Sequence, residues 1–148
     1  MCGYSSTKLF FEYGTLITYM SMKKSLQKTY TEKRPWGFFT RFTHNEPSTV
    51  KIIFVKAGAS LSLQYHHKRE EFWHVLSGTG SVIVGKKKYI AKPGKEFAVP
   101  PETLHRIIAT TALEILEIAT GHFEESDIVR VQDSYGRTTA SKTPKKGK

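Results

Sequence analysis

Cysteine is nearly missing from this chain, Cys2 being the only one in 148 residues. An intramolecular disulfide and a thiolate-bound metal cluster are thereby excluded, and a reducing compartment, the cytoplasm, is expected. No apolar run is long enough to cross a bilayer, so no membrane partner is expected. Residues 9–20 are apolar, but Glu12 interrupts them and no small-residue cleavage site follows, which argues against a signal peptide. Met20 and Met22 offer alternative starts, so residues 1–22 are read as an uncertain N-terminal extension. Heptads, fixed-period repeats and a glycine-rich phosphate loop are absent. Acidic residues are scarce, 13 against 23 Lys and Arg, for a net charge of +10. Part of that excess lies in residues 138–148, expected to be a solvated, disordered tail. The remainder favours solubility, or a field that attracts anionic substrates. No recognisable RNA- or DNA-binding motif accompanies the basic residues, and no nucleic-acid partner is expected.

What the chain does have is a series of short β-like segments with regular breaks. Residues 50–55 end at Ala57-Gly58, 71–76 at Ser77-Gly78, and 81–84 at Gly85-Lys86. Residues 88–91 end at Pro93-Gly94 and 96–99 at Pro100-Pro101, while 61–66, 105–109 and 113–119 complete the set. Such a pattern predicts an all-β sandwich or barrel within one domain, residues 23–137. Residues 23–48 are polar and turn-rich, and 121–137 form a charged closing segment.

Strand phase then brings ligand chemistry together. Successive side chains on a strand alternate faces, so Ser62, Gln64 and His66 share one side. Glu71 follows a short polar turn and opens the next strand, with Trp73 and Val75 in phase. Gln64, His66 and Glu71 are expected to converge from one hairpin on a barrel interior. His105, first residue of a later strand, completes a tetrad.

Residues 58–78 resemble the first motif of the cupin family: Gly58, Gln64 where a histidine usually stands, His66, Glu71 and Gly78. Residues 94–105 resemble the second motif through Gly94, Pro100 and His105, with Glu102 in place of a usual glycine and Ala109 in place of a common asparagine. The resemblance narrows to type II mannose-6-phosphate isomerases. It rests on Arg34-Pro-Trp-Gly37, on Gln64-x-His66-His67-x-Arg69-x-Glu71-x-Trp73, on Pro100 with Arg106, and on Asp127-Ile-Val-Arg130-x2-Asp133-x-Tyr135-Gly136-Arg137. Phe72 departs from the histidine common at its position. The resemblance covers about residues 30–137 and implies a cupin barrel (a double-stranded β-helix, or jelly roll). In many members this cupin is the C-terminal part of a bifunctional enzyme whose other part is a mannose-1-phosphate guanylyltransferase, and a stand-alone form is expected here.

That resemblance implies interconversion of mannose 6-phosphate and fructose 6-phosphate through a cis-enediolate, feeding nucleotide-sugar synthesis. One divalent metal would be bound by Gln64, His66, Glu71 and His105; such ligands suit Zn²⁺, and also Mn²⁺, Fe²⁺, Co²⁺ or Ni²⁺. The ion would polarise the sugar carbonyl. Three residues stand open as the proton-transfer base: Lys51 and Glu117, on strands that can face the interior, and His67 beside the ligands. Arg69, Arg106, Arg130 and Arg137 are candidates for the substrate phosphate, with Arg69 also a catalytic candidate. Arg130 and Arg137 have a structural alternative, pairing with Asp127 and Asp133. Two other classes stay in view: another metal-dependent cupin enzyme (a different sugar-phosphate isomerase or a dioxygenase), and a non-catalytic sugar- or metal-binding cupin. An exposed strand edge would also permit a homodimer.

Overall fold

The computed structural model describes residues 29–139. The expectations for residues 1–22 and for the tail beyond 139 lie outside the described residues. The chain divides into two compact units between Asn45 and Glu46.

In the first unit, β1 (Tyr30–Arg34) and β2 (Gly37–Arg41) form an antiparallel hairpin, with Arg34 opposite Gly37 across the Pro35-Trp36 turn. Proline at the turn pre-sets the backbone bend. The Arg41 guanidinium lies 4.8 Å from the centre of the Tyr30 ring. This stretch was expected to be turn-rich; paired strands form because Phe38, Phe39 and Thr40 supply β-favouring residues opposite Lys33, Glu32 and Thr31.

The second unit contains β3 (Ser48–Val55), β4 (Leu63–Tyr65), β5 (Arg69–Ser77), β6 (Gly80–Val84), β7 (Lys87–Ala91), β8 (Glu96–Val99), β9 (His105–Ala109), β10 (Leu113–Gly121) and β11 (Val129–Gln132). Two antiparallel sheets result, one ordered β3-β10-β5-β8 and the other β11-β4-β9-β6-β7. This is the cupin-type all-β sandwich. Every strand segment anticipated from residue 50 onward is present. Gly85, at φ 60, makes the two-residue turn that sets Val84 opposite Lys87. The expected strand at 61–66 shortens to β4, so His66 lies one residue past its end. No helix among the described residues is long and apolar enough to cross a membrane.

One expectation is corrected. Gln64, His66 and Glu71 do not share a hairpin: β4 pairs with β9 and β11, whereas β5 pairs with β10 and β8. The His66–Arg69 segment crosses from one sheet to the other instead of turning back. The ligands therefore face each other across the sandwich.

The interior has an apolar end and a polar end because of how each strand is written. β5 buries Arg69 and Glu71 first, then Trp73 and Val75. The antiparallel β10 buries Leu113 and Ile115 first, then Glu117. On β9, His105 precedes Ile107 and Ala109. Antiparallel register thus collects the apolar residues in one core with Val55, Val82, Phe97 and Val99, and the polar ones beside it.

Candidate metal centre and its cavity

His66, Glu71 and His105 are all buried, and their donor atoms lie within 4.8 Å of one another. Each imidazole is oriented by its second nitrogen. His66 Nδ1 donates to the Asp127 carbonyl, and His105 Nδ1 donates to the Thr103 carbonyl at 2.8 Å. A carbonyl only accepts, so Nδ1 carries a proton in both rings and Nε2 points at Glu71. His66 Nε2 is 3.0 Å from Glu71 Oε1, and His105 Nε2 is 3.7 Å from Oε2. Glu71 Oε2 is buried without a hydrogen-bond partner. At His66 the Arg69 guanidinium donates to both the nitrogen and Glu71 Oε1, but between His105 Nε2 and Glu71 Oε2 an unprotonated nitrogen faces a carboxylate oxygen, lone pair against lone pair. A cation between them, proton or metal, relieves that repulsion. The donor set therefore fits a divalent ion.

Gln64 sits between Arg130 on β11 and His105 on β9 in the register of the second sheet. Its Oε1 accepts from Ser62 Oγ at 2.6 Å, and its Nε2 lies 3.5 Å from His105 Nε2. The amide is next to the three buried ligands but presents nitrogen toward them; a half-turn of the amide presents oxygen, with the Ser62 hydroxyl then accepting.

Arg69 is 3% exposed, and its N–H groups are committed to protein acceptors. Nε donates to Glu71 Oε1 at 3.0 Å, NH1 to the Glu124 carbonyl at 3.0 Å, and NH2 to His66 Nε2 at 3.0 Å. A metal at the centre would compete with Arg69 for two of those acceptors. Burial alone would push the Glu71 carboxyl up, but the His66 contact, the charges of His105 and His66 and the Arg69 donor together hold it down to about 2. Burial lowers the pKa of His105, which favours the neutral imidazole a metal takes.

A cavity of about 180 Å³ opens beside this cluster, with Lys51, Ser62, Gln64, Arg69, Glu71 and Glu117 in its wall. Lys51 and Glu117 are register partners on β3 and β10. Lys51 Nζ is 3.1 Å from Glu117 Oε1 and 3.4 Å from Glu125 Oε1. Burial and the Glu71 charge raise the pKa of Glu117, and Lys51 opposes them. Arg130 and Arg137 also line the cavity. They differ in what already holds them. Arg137 donates from Nε and NH2 to the two oxygens of Asp133, at 3.0 and 2.9 Å, and this holds the Asp133 carboxyl down to about 2. Arg130 forms no ion pair among the described residues, and its buried Nε has no partner.

Two sequence candidates are placed elsewhere. Arg106 is out of phase with His105 on β9, and its NH2 donates to the Gln132 carbonyl at 3.2 Å. The His67 side chain is half exposed and pairs with Glu102. Neither lines the cavity.

The family model described as "Mannose-6-phosphate isomerase C-terminal" matches residues 21–133. The chain belongs to that family. Its relatives in the mannose-6-phosphate isomerase C-terminal family include the xanthan biosynthesis protein XanB of Xanthomonas campestris, 40% identical over 108 residues, covering 71% of this chain and 23% of the relative. The alginate biosynthesis protein AlgA of Pseudomonas aeruginosa is likewise 40% identical, over 71% of this chain and 22% of the relative. A mannose-1-phosphate guanylyltransferase of Klebsiella pneumoniae is 36% identical over 70% of this chain and 23% of its own length. The chain thus spans less than a quarter of these relatives. In fold it is similar to the capsular polysaccharide assembling protein CapF of Staphylococcus aureus, with a TM-score of 0.54 and 18% identity over 72% of this chain and 33% of that one.

Several residues of this family member's site were not singled out from sequence. Asp127 was considered as a partner for an arginine; it accepts instead from the His67 and Lys68 amides, at 3.1 and 2.9 Å. Burial works against its charge, but those amides outweigh it and keep the carboxyl below its usual range. Phe123 stands between two cations, 4.4 Å from Lys51 Nζ and 4.6 Å from the Arg69 guanidinium carbon. Glu102, in place of the family's glycine, adopts φ 59. Glycine takes that conformation freely, and its presence in the family motif is the one signal that pointed there.

Proposed function

We propose that this protein is a metal-dependent aldose–ketose isomerase interconverting mannose 6-phosphate and fructose 6-phosphate. The observation that carries the reading is the contiguity of three features at one cavity: the buried His66–Glu71–His105 cluster beside it, which reaches its wall through Glu71, the Lys51–Glu117 pair, and Arg130 with an unspent buried donor. Its family supports the same substrate class.

His66, Glu71 and His105 would hold the ion, with Gln64 supplying an amide oxygen. When bound, a divalent metal supplies Lewis acidity at the sugar carbonyl, and Zn²⁺ suits the two imidazoles and one carboxylate best. Glu117 is the base. Its raised pKa moves a carboxylate toward the working pH, where general-base catalysis is most effective. It takes the proton as the C2–H bond of open-chain mannose 6-phosphate breaks and returns it to C1, while the C2 hydroxyl proton passes to O1, so that C2 becomes the carbonyl of the ketose. Lys51, 3.1 Å away, donates to the oxygen that gains charge as the enediolate forms. Arg130 takes the phosphate. Arg137, already neutralised by Asp133, shapes the pocket. A phosphorylated hexose substrate is consistent with action in the cytoplasm.

A coupled assay on mannose 6-phosphate, with and without chelator, tests this. Turnover that a chelator abolishes and a divalent ion restores is expected. Stoichiometric metal with no turnover of any hexose phosphate would sink the isomerase reading in favour of a binding protein, and oxygen uptake with a small organic substrate would favour a dioxygenase.

A further inference from the structure

The segment between β10 and β11 is fastened to the ligand-bearing crossover by a set of contacts centred on one residue. Asp127 accepts the His66 Nδ1 proton on its main-chain carbonyl. Its two carboxylate oxygens accept the next two amides, His67 N at 3.1 Å and Lys68 N at 2.9 Å. Glu124 adds to the same seam: its carbonyl accepts from Arg69 NH1 and from Asp127 N, and its carboxylate lies 3.3 Å from Lys68 Nζ. Glu125, Ile128 and Arg130, on the same stretch of chain, line the cavity.

We infer that Asp127 is a positioning residue for His66, fixing through its clasp on residues 67 and 68 where its own carbonyl stands and thereby which imidazole nitrogen faces the centre. The physical basis is directional. A histidine ring turns freely about its Cβ–Cγ bond unless its second nitrogen is held. His66 lies past the end of β4, so no strand ladder holds it. Two charge-assisted hydrogen bonds to consecutive amides lock Asp127 to that turn, and the carbonyl of the same residue is then presented to Nδ1. Nδ1 keeps the proton, and Nε2 keeps a lone pair that faces Glu71 and accepts from Arg69 NH2 at 3.0 Å. Because the same stretch carries Arg130, one residue ties the ligand geometry to the phosphate side of the cavity. The inference rests on the metal-site reading, not on the identity of the sugar.

The test pairs Asp127→Asn with Asp127→Ala in the full chain. Asparagine preserves size but places an N–H₂ group against an amide donor, so it keeps at most one of the two bonds. The first readout is ¹⁵N NMR of His66 in chelator-treated protein, at a pH high enough to leave the ring neutral. Wild type should show one tautomer, protonated at Nδ1; both variants should show a mixture. The second readout is Zn²⁺ affinity by titration against a competing chelator, expected to weaken 10- to 100-fold, the usual cost of losing a group behind a ligand. An unchanged tautomer, with Zn²⁺ affinity within twofold of wild type, would overturn the inference. Should wild type itself bind no Zn²⁺ while the tautomer still depends on Asp127, the positioning role stands and the metal reading fails. If the alanine variant does not fold, the asparagine variant decides the matter alone.

Discussion

Two arginines that look equivalent in the sequence differ in what surrounds them. Asp133 occupies Nε and NH2 of Arg137, whereas Arg130 carries a buried Nε with no partner. A hydrogen bond to a charged group contributes about 1.5–3 kcal/mol. Arg130→Ala is therefore expected to raise KM for mannose 6-phosphate roughly 10- to 100-fold, with kcat changed less, and Arg137→Ala to raise it much less. Steady-state kinetics on both variants checks this; equal effects would return the phosphate to a shared site. Glu71 yields a second outcome at this scale. Its folded pKa of about 2 lies below the ordinary 4.5, so its charge stabilises the folded chain above pH 4.5, and that contribution disappears as pH falls toward 2. In chelator-treated protein, Glu71→Gln should flatten the acid limb of the stability curve across that window, measured by denaturant unfolding at stepped pH. Sequence showed His66, Glu71 and His105 because their types and spacings are tied to their chemistry. It did not show Asp127, whose role comes from a carbonyl and from amides some 60 positions away, which no residue type announces.

At the level of strands, the legible features were those with local punctuation. Gly78 marks the end of β5, and its reason is contact as well as conformation. At φ 79, an added Cβ would stand 1.9 Å from the Ala112 carbonyl oxygen, inside the backbone of the neighbouring turn. The left-handed conformation costs a non-glycine residue about 1–2 kcal/mol, and forced overpacking about 1–3 more. Gly78→Ala should thus destabilise by about 2–5 kcal/mol, seen as a lowered midpoint in thermal or urea unfolding. A change below about 0.5 kcal/mol would mean that the turn relaxes at no cost. Pairing between strands was less legible. Proximity in sequence made β4 and β5 look like a hairpin, yet the three residues between them, 66–68, cross the sandwich. Alternation fixes which face a residue takes, not which sheet its strand joins. β11 escaped notice because charged and polar neighbours surround Val129 and Val131 and dilute the alternation.

Across the whole molecule, the polar end of the sandwich departs from the rule that interiors are apolar. Ser62, His66, Arg69, Glu71, His105, Glu117 and Asp127 are all buried. Buried charges are retained only where they are paired, hydrogen-bonded or bound to a metal. Here the pairing is incomplete: Lys51 meets Glu117 Oε1 at 3.1 Å, but Glu71 Oε2 has no hydrogen-bond partner, so a bound cation should stabilise the fold as well as equip the site. A ligand that binds only the folded state at 100 times its dissociation constant adds about 2.7 kcal/mol. For a domain of this size that corresponds to a Tm about 10 °C higher. Removing metal with a chelator should lower Tm by that order, and Zn²⁺ or Mn²⁺ should restore it. Mg²⁺ should not, because it prefers an octahedral shell of oxygen to two imidazoles. The control is the paired His66→Ala and His105→Ala chain, whose Tm should no longer respond to chelator or Zn²⁺. A wild-type Tm indifferent to both, or a Zn²⁺ response that survives loss of both imidazoles, would place any bound metal elsewhere in the chain and leave the buried carboxylates to the protein's own cations.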